Sequence, residues 1–176
     1  MDNIEISPSD RFDLFKIQCE SLLIKGINNN ILYEEILKDL TPMSEDIYSS
    51  LNEDNVFDKS KGIESKKLLD VVDKLANERG LKSTYQWAVS HRHLESTDIH
   101  NHYDPISNVC FAWCYYVRVP ENSGDLVFIL NNHINQVILR PHEGLFIIFP
   151  AWLKHKVSKN LNKNNRVVVS GNMVTA

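Results

Sequence analysis

The sequence has no excess of basic residues. Lysine and arginine number 19 against 23 aspartates and glutamates, giving a formal charge of −4 and a pI near 6.0. A chain that neutralises many phosphates needs a surplus of cations, so the balance argues against general nucleic-acid binding. Long hydrophobic runs are also missing. The longest apolar stretch, Val109 to Val117, falls far short of the ~20 residues a membrane helix requires, and no membrane partner is expected. The N-terminus, MDNIEISPSD, is acidic and polar. It lacks the apolar region of a secretory signal. Cysteine is scarce and odd in number: Cys19, Cys110 and Cys114. That pattern suits free thiols in a reducing compartment, and the expected location is cytoplasmic. Cys110 and Cys114 stand four apart in a strand-like run, which is not a CxxC spacing, and read as small buried apolar residues.

Repeats and flexible linkers are absent as well. The 176 residues, 43% of them hydrophobic, suffice for one domain with a substantial core. Residues 1–82 read as helical. Ser7-Pro8 resembles an N-cap with proline at the first helical position. Phe12, Phe15, Cys19, Leu22 and Leu23 follow at helical spacing up to Gly26. A second helix is expected from Leu32 to Leu40, and the acidic, polar stretch from Thr41 to Gly62 reads as loop. A third helix is capped by Ser65, carries Leu68, Leu69, Val72, Leu75 and Ala76 on its apolar stripe, and stops at Gly80.

Residues 83–176 read as β. Strands are expected at Thr84 to Val89, Val109 to Val119, Leu126 to Leu130, Gln136 to Leu139, Leu145 to Phe149 and Arg166 to Val174. All are rich in β-branched and aromatic residues and are separated by turn formers. Helices followed by a run of short strands predict a mainly β, α+β fold: a sandwich or barrel with helices packed on it.

All seven histidines lie between positions 91 and 155. The sharpest local feature is His100-Asn-His102-Tyr-Asp104. On an extended strand, positions two apart point to one face, so His102 and Asp104 can converge on one metal ion. His155, after the strand ending at Phe149-Pro150, is the expected third ligand. Two histidines and a carboxylate on one face of an octahedron leave positions open for a chelating molecule and dioxygen, as in non-haem iron(II) sites. Arg166 opens an otherwise apolar strand. A guanidinium there is costly to bury without an anionic partner and is suited to gripping a small dicarboxylate. His91-Arg-His93 reads either as lining the site entrance or as a solvated loop, His133 and His142 read as exposed turn residues, and Trp87, Trp113 and Trp152 as packing residues. Trp152 lies close enough to His155 to shape a substrate mouth. Gln86 and Trp87 start a strand that leads toward the site and are candidates for substrate contact.

His102-Tyr-Asp104, His155 and Arg166 together resemble the H-x-D…H…R pattern of the 2-oxoglutarate- and Fe(II)-dependent dioxygenases. Cys114-Tyr-Tyr-Val117, Ser123-Gly-Asp-Leu-Val-Phe128, the segment Pro141 to Pro150 and Leu153-Lys-His155-Lys-Val157 resemble the prolyl-hydroxylase-like branch, including small oxygenases of bacteria and phages. The likeness spans roughly Tyr85 to Val174. It implies a double-stranded β-helix (jelly-roll) core, iron held by His102, Asp104 and His155, and 2-oxoglutarate held by Arg166 with Tyr116 and Ser170. The partners it implies are dioxygen and a small-molecule or peptide substrate, with succinate and CO2 released. The helical half would cover the barrel, shape the pocket or serve a homodimer. Many phage-type relatives carry H-x-H before this strand. His100 with His102 is the alternative to His102 with Asp104 as the ligand pair, and the H-x-D frame is preferred. Two other readings remain beside the oxygenase: a cupin-like metalloenzyme (an isomerase or cosubstrate-independent dioxygenase) and a non-enzymatic jelly-roll binding module.

Overall fold

The computed structural model describes residues 5–14, 17–38, 41–42, 48–49, 57–104, 106–130 and 135–176. In chain order the elements are β1 (Glu5–Leu14), β2 (Ile17–Lys25), α1 (Asn29–Leu37), β3 (Thr41–Pro42), β4 (Tyr48–Ser49), α2 (Ile63–Asn77), β5 (Leu81–His91), β6 (Thr97–His100), β7 (Val109–Arg118), β8 (Leu126–Leu130), β9 (Asn135–Leu139), β10 (Leu145–Pro150), β11 (His155–Val157) and β12 (Arg166–Thr175). An eight-stranded sheet runs β1-β2-β10-β7-β12-β5-β4-β3, and a four-stranded sheet runs β6-β11-β8-β9. All pairings are antiparallel. This is the expected mainly β architecture, a double-stranded β-helix with two helices among the described residues.

Strand parity builds two cores. On β7, Ala112, Cys114 and Tyr116 pack with Leu126, Phe128 and Phe149 between the sheets. The alternate residues Trp113, Tyr115 and Val117 pack with Phe146, Val167, Val169 and the helical Leu32, Ile36, Leu68 and Val72 on the outer face. The central strands are therefore apolar on both faces, which is why they read as continuous hydrophobic runs. Gly171 of β12 lets this arrangement close, since a Cβ there would lie 2.6 Å from the Trp113 ring.

The expected helix from Ser7 to Gly26 is a correction: the chain forms the β1–β2 hairpin instead. β2 lies between β1 and β10, and its two faces join different cores. Cys19 is buried between the sheets and Ile24 is buried on the helical side. Apolar residues on both faces of a buried strand produce the i, i+3, i+4 coincidences that mimic a helix. Gly26, at φ 92°, ends the strand in the left-handed region glycine favours. Phe15 lies outside the described residues.

The second helix is present as α1, capped by the Asn28 side chain, which accepts from the Asn30 and Ile31 amides. The third starts two residues before the expected cap, at Ile63. Its first amides are satisfied by a residue of the other helix. Glu35 of α1 is buried, and its carboxylate accepts from the amides of Glu64 (3.2 Å) and Ser65 (2.8 Å) and from Ser65 Oγ (2.7 Å). In return, Glu64 Oε2 accepts from Asn28 N at the start of α1 (2.8 Å). Each helix thus supplies an acceptor for the orphan donors of its partner. Gly62 leaves room for this, because a Cβ there would lie 2.0 Å from the Glu35 carboxyl carbon. Among the described residues no helix is long and apolar enough to cross a membrane.

Candidate metal centre

Two short strands place the histidines. β6 and β11 pair antiparallel with His100 opposite His155. The chain leaving β6 is tied back by His102 N, which donates to Ala151 O at 2.8 Å. The ring centroids of His100 and His155 are 4.2 Å apart, those of His102 and His155 5.2 Å and those of His100 and His102 5.4 Å. Among the described residues, His100, His102 and His155 form a metal-competent group, each offering one ligand atom within 4.8 Å of the others. A point equidistant from three atoms 4.8 Å apart lies about 2.8 Å from each. A metal–imidazole bond is roughly 2.1 Å, so closing on an ion moves each ring by less than ~1 Å.

The hydrogen bonds of the rings meet the requirement for metal binding. His100 Nδ1 contacts Asp98 O at 2.8 Å, His102 Nδ1 contacts Asn172 Oδ1 at 2.9 Å, and His155 Nδ1 contacts Leu153 O at 2.9 Å. Each partner is a carbonyl oxygen and can only accept, so Nδ1 carries the proton and donates. That leaves the Nε2 lone pair of every ring available, the tautomer a metal-ligating histidine needs. Burial also keeps two of the rings neutral. It pushes His155 down to about 3 and His102 down to about 4, with His100 adding to both shifts.

Asp104 is not in this group. Its carboxylate is exposed and accepts from Ile106 N at 3.0 Å and Ser107 Oγ at 2.6 Å, an Asx-type turn leading into β7. The Ser107 hydroxyl and then the Ile106 amide hold it below the usual carboxylate range.

The other expected residues meet in one place. A cavity of about 410 Å³ is lined by His100, His102 and His155 and also by Arg166, Tyr116 and Ser170. Leu126, Phe149 and Val168 supply apolar wall. Arg166 is 1% exposed. Its Nη1 donates to Gly124 O at 3.1 Å and its Nη2 to His91 Nδ1 at 3.0 Å, while Nε has no partner. Burial lowers the basicity of the guanidinium, offset in part by Tyr116, Cys114 and Asp125. It stays charged at neutral pH. The Tyr116 hydroxyl is raised well above its ordinary value, chiefly by burial, so it stays protonated.

Asn172 escapes the sequence reading, which leaves His91 between site entrance and solvated loop and Trp87 between packing and substrate contact. His91 is buried at 1% exposure rather than in a solvated loop. Asn172 orients His102, and Trp87 stacks on the His102 ring at 5.5 Å. A strand-parity reading extended two residues past Ser170 reaches Asn172, and Trp87 and His91 share a parity on β5. His93 and His142 are exposed as expected, and His133 lies outside the described residues.

The site and fold define a metal-competent double-stranded β-helix with a buried arginine lining the metal cavity. Residues 130–172 match the model of a family described as "Putative 2OG-Fe(II) oxygenase". No curated protein matches the chain in sequence. The fold is shared with a prolyl-4-hydroxylase from Pseudomonas putida at 13% identity and a TM-score of 0.73, over 93% of this chain and 96% of that one. It is shared with a viral collagen prolyl hydroxylase from Paramecium bursaria chlorella virus-1, its 2OG complex, at 11% identity and a TM-score of 0.68, over 90% and 96%. The alpha-ketoglutarate-dependent epimerase SnoN from nogalamycin biosynthesis gives 13% identity and a TM-score of 0.67, over 90% and 78%.

Proposed function

We propose that this chain is an Fe(II)- and 2-oxoglutarate-dependent oxygenase that hydroxylates a small molecule or peptide, with iron held by His100, His102 and His155. The observation that carries the reading is the cavity itself. Three imidazoles with free Nε2 lone pairs share it with a buried arginine whose hydrogen-bond partners, His91 and Gly124 O, leave its charge uncompensated. Three neutral imidazoles leave the charge of a divalent ion uncompensated, and a chelating 2-oxo dicarboxylate supplies the balancing anion. Bound iron and 2-oxoglutarate supply the oxidising power for dioxygen chemistry, with succinate and CO2 as the cosubstrate's products. The chain's part is positional. Arg166 takes the distal carboxylate, assisted by the Tyr116 and Ser170 hydroxyls, and the apolar walls keep water from the centre. Trp87, stacked on His102, borders the space left for substrate.

The histidine-only group favours one second reading. A cupin-like metalloenzyme with three imidazole ligands and no cosubstrate would use the same centre, but gives no role to a buried Arg166. Free thiols at Cys19, Cys110 and Cys114 suit a reducing, cytoplasmic setting. Ile31, Leu37 and Ile63 are exposed on the helices and offer a homodimer its face, tested by light scattering. The acidic net charge supports a substrate other than nucleic acid.

The test is anaerobic reconstitution with Fe(II), then aerobic assay of succinate from 2-oxoglutarate. We expect turnover in the wild type and its loss in Arg166→Leu with iron binding retained. Iron binding with neither 2-oxoglutarate binding nor turnover would move the protein to the cosubstrate-free class.

A further inference from the structure

A buried guanidinium is ordinarily neutralised by a carboxylate. Arg166 has none: among the described residues its hydrogen-bond partners are His91 Nδ1 and Gly124 O, and Asp125 acts on it only through space. Every N–H of a guanidinium donates, so His91 Nδ1 must accept. The proton of His91 therefore sits on Nε2, where Thr97 Oγ1 lies 2.7 Å away to accept it. Thr97 fixes the tautomer of His91, and His91 fixes the fork of Arg166.

We infer that His91 is the positioning residue for Arg166, and that the Thr97–His91–Arg166 chain sets how tightly the cavity holds an anionic cosubstrate. This rests on the 2-oxoglutarate reading above. A neutral imidazole orients the guanidinium without cancelling its charge. One uncompensated positive charge remains for the ligand's distal carboxylate. A carboxylate in place of His91 would hold Arg166 as firmly but neutralise it. The backbone of His91 is anchored independently, since Asn160 Nδ2 donates to His91 O at 2.9 Å. The chain also ends on the metal strand: Thr97 and His100 both belong to β6, so one short strand serves the anion grip and the metal.

The test uses the full chain loaded with Mn(II) under nitrogen. 2-Oxoglutarate binding is followed by titration calorimetry and Mn(II) binding by electron paramagnetic resonance. His91→Leu should weaken 2-oxoglutarate binding about tenfold or more, the loss of one hydrogen bond to a charged group, with Mn(II) affinity unchanged. His91→Asn keeps an acceptor near the Nδ1 position and should recover part of that loss. Thr97→Val, a change that keeps side-chain shape, should weaken binding in the same direction, and it decides the matter if His91→Leu does not fold. In succinate assays the effect should fall on the KM for 2-oxoglutarate more than on kcat. Variants that lose thermal stability but bind 2-oxoglutarate like the wild type would overturn the inference and leave the oxygenase reading intact. A wild type that binds Mn(II) but no 2-oxoglutarate would overturn both.

Discussion

His100 and His155 stand directly opposite each other across the β6–β11 pair, their ring centroids 4.2 Å apart. Cross-strand neighbours on one face are the closest side chains a sheet can offer, and the third imidazole, His102, stacks on His155 at an interplanar angle of 7°. Removing His100 should therefore reduce metal affinity by more than the ~10–100-fold typical of losing an outer hydrogen-bond partner. Asp104→Ala should leave metal affinity within a few fold and only loosen the turn before β7. Metal titration of the two variants checks this, and the opposite ranking would restore Asp104 as the ligand.

Asn172 is the outer partner of His102, and its removal should be felt at the metal. Asn172→Leu takes away the acceptor that keeps the His102 proton on Nδ1. About 10–100-fold weaker metal binding is expected, with the fold retained. Asn172→Asp keeps an acceptor and should stay close to the wild type. Equal affinity in all three proteins would show that the ring is oriented by its stacking on Trp87 instead.

The reciprocal capping of α1 and α2 makes a stability prediction independent of the metal. Glu35→Ala removes three hydrogen bonds at the start of α2 and should cost about 1–3 kcal/mol in urea unfolding. Gly62→Ala should destabilise through the same carboxylate, displaced by the new Cβ. Combining the two changes should cost less than the sum of the single effects, because the alanine at 35 removes what the alanine at 62 strikes.

Burial gives the metal-free protein a defined acid sensitivity. His91 and His155 are pushed down to about 3 and His102 to about 4, whereas the unfolded chain titrates near 6.5. Between these values the unfolded state binds more protons, so stability rises with pH across the window and is lost as pH falls below about 6.5. Each histidine contributes at most ~1.4 kcal/mol per pH unit there. Urea midpoints of the metal-free chain should drop from pH 7 to pH 5, and a flat profile would contradict burial of these rings.

The strands of the second half were legible because β-branched and aromatic runs between turn formers carry their own signal. The β1–β2 hairpin was not, because β2 buries residues toward both cores and its spacing imitates a helix. At the site, the family resemblance singled out Tyr116, Arg166 and Ser170, and all three line one cavity. Parity could not rank His100 against Asp104, since both stand two residues from His102. That choice depends on a pairing between segments more than fifty residues apart, and on a turn in which Ser107 and Ile106 occupy the carboxylate. The sequence leaves His91 between site entrance and solvated loop for a similar reason. A histidine beside Arg92 and His93 looks solvated until β5 is seen to pair with β12 and to bring it opposite Arg166.

β12 is flanked on both sides, by β5 and β7, and carries Arg166 at its first residue and Asn172 six positions on. At ~3.3 Å per residue those two backbone positions are fixed about 20 Å apart by the pitch of an interior strand. The strand acts as a ruler between the buried arginine of the cavity and the asparagine that holds the His102 ring. A one-residue insertion between them would turn Asn172 away from the cavity as well as displace it. The span of the site can thus change only by substitution at alternate positions, and new substrates would have to be accommodated by the loops and rim, with the ruler left at its present length.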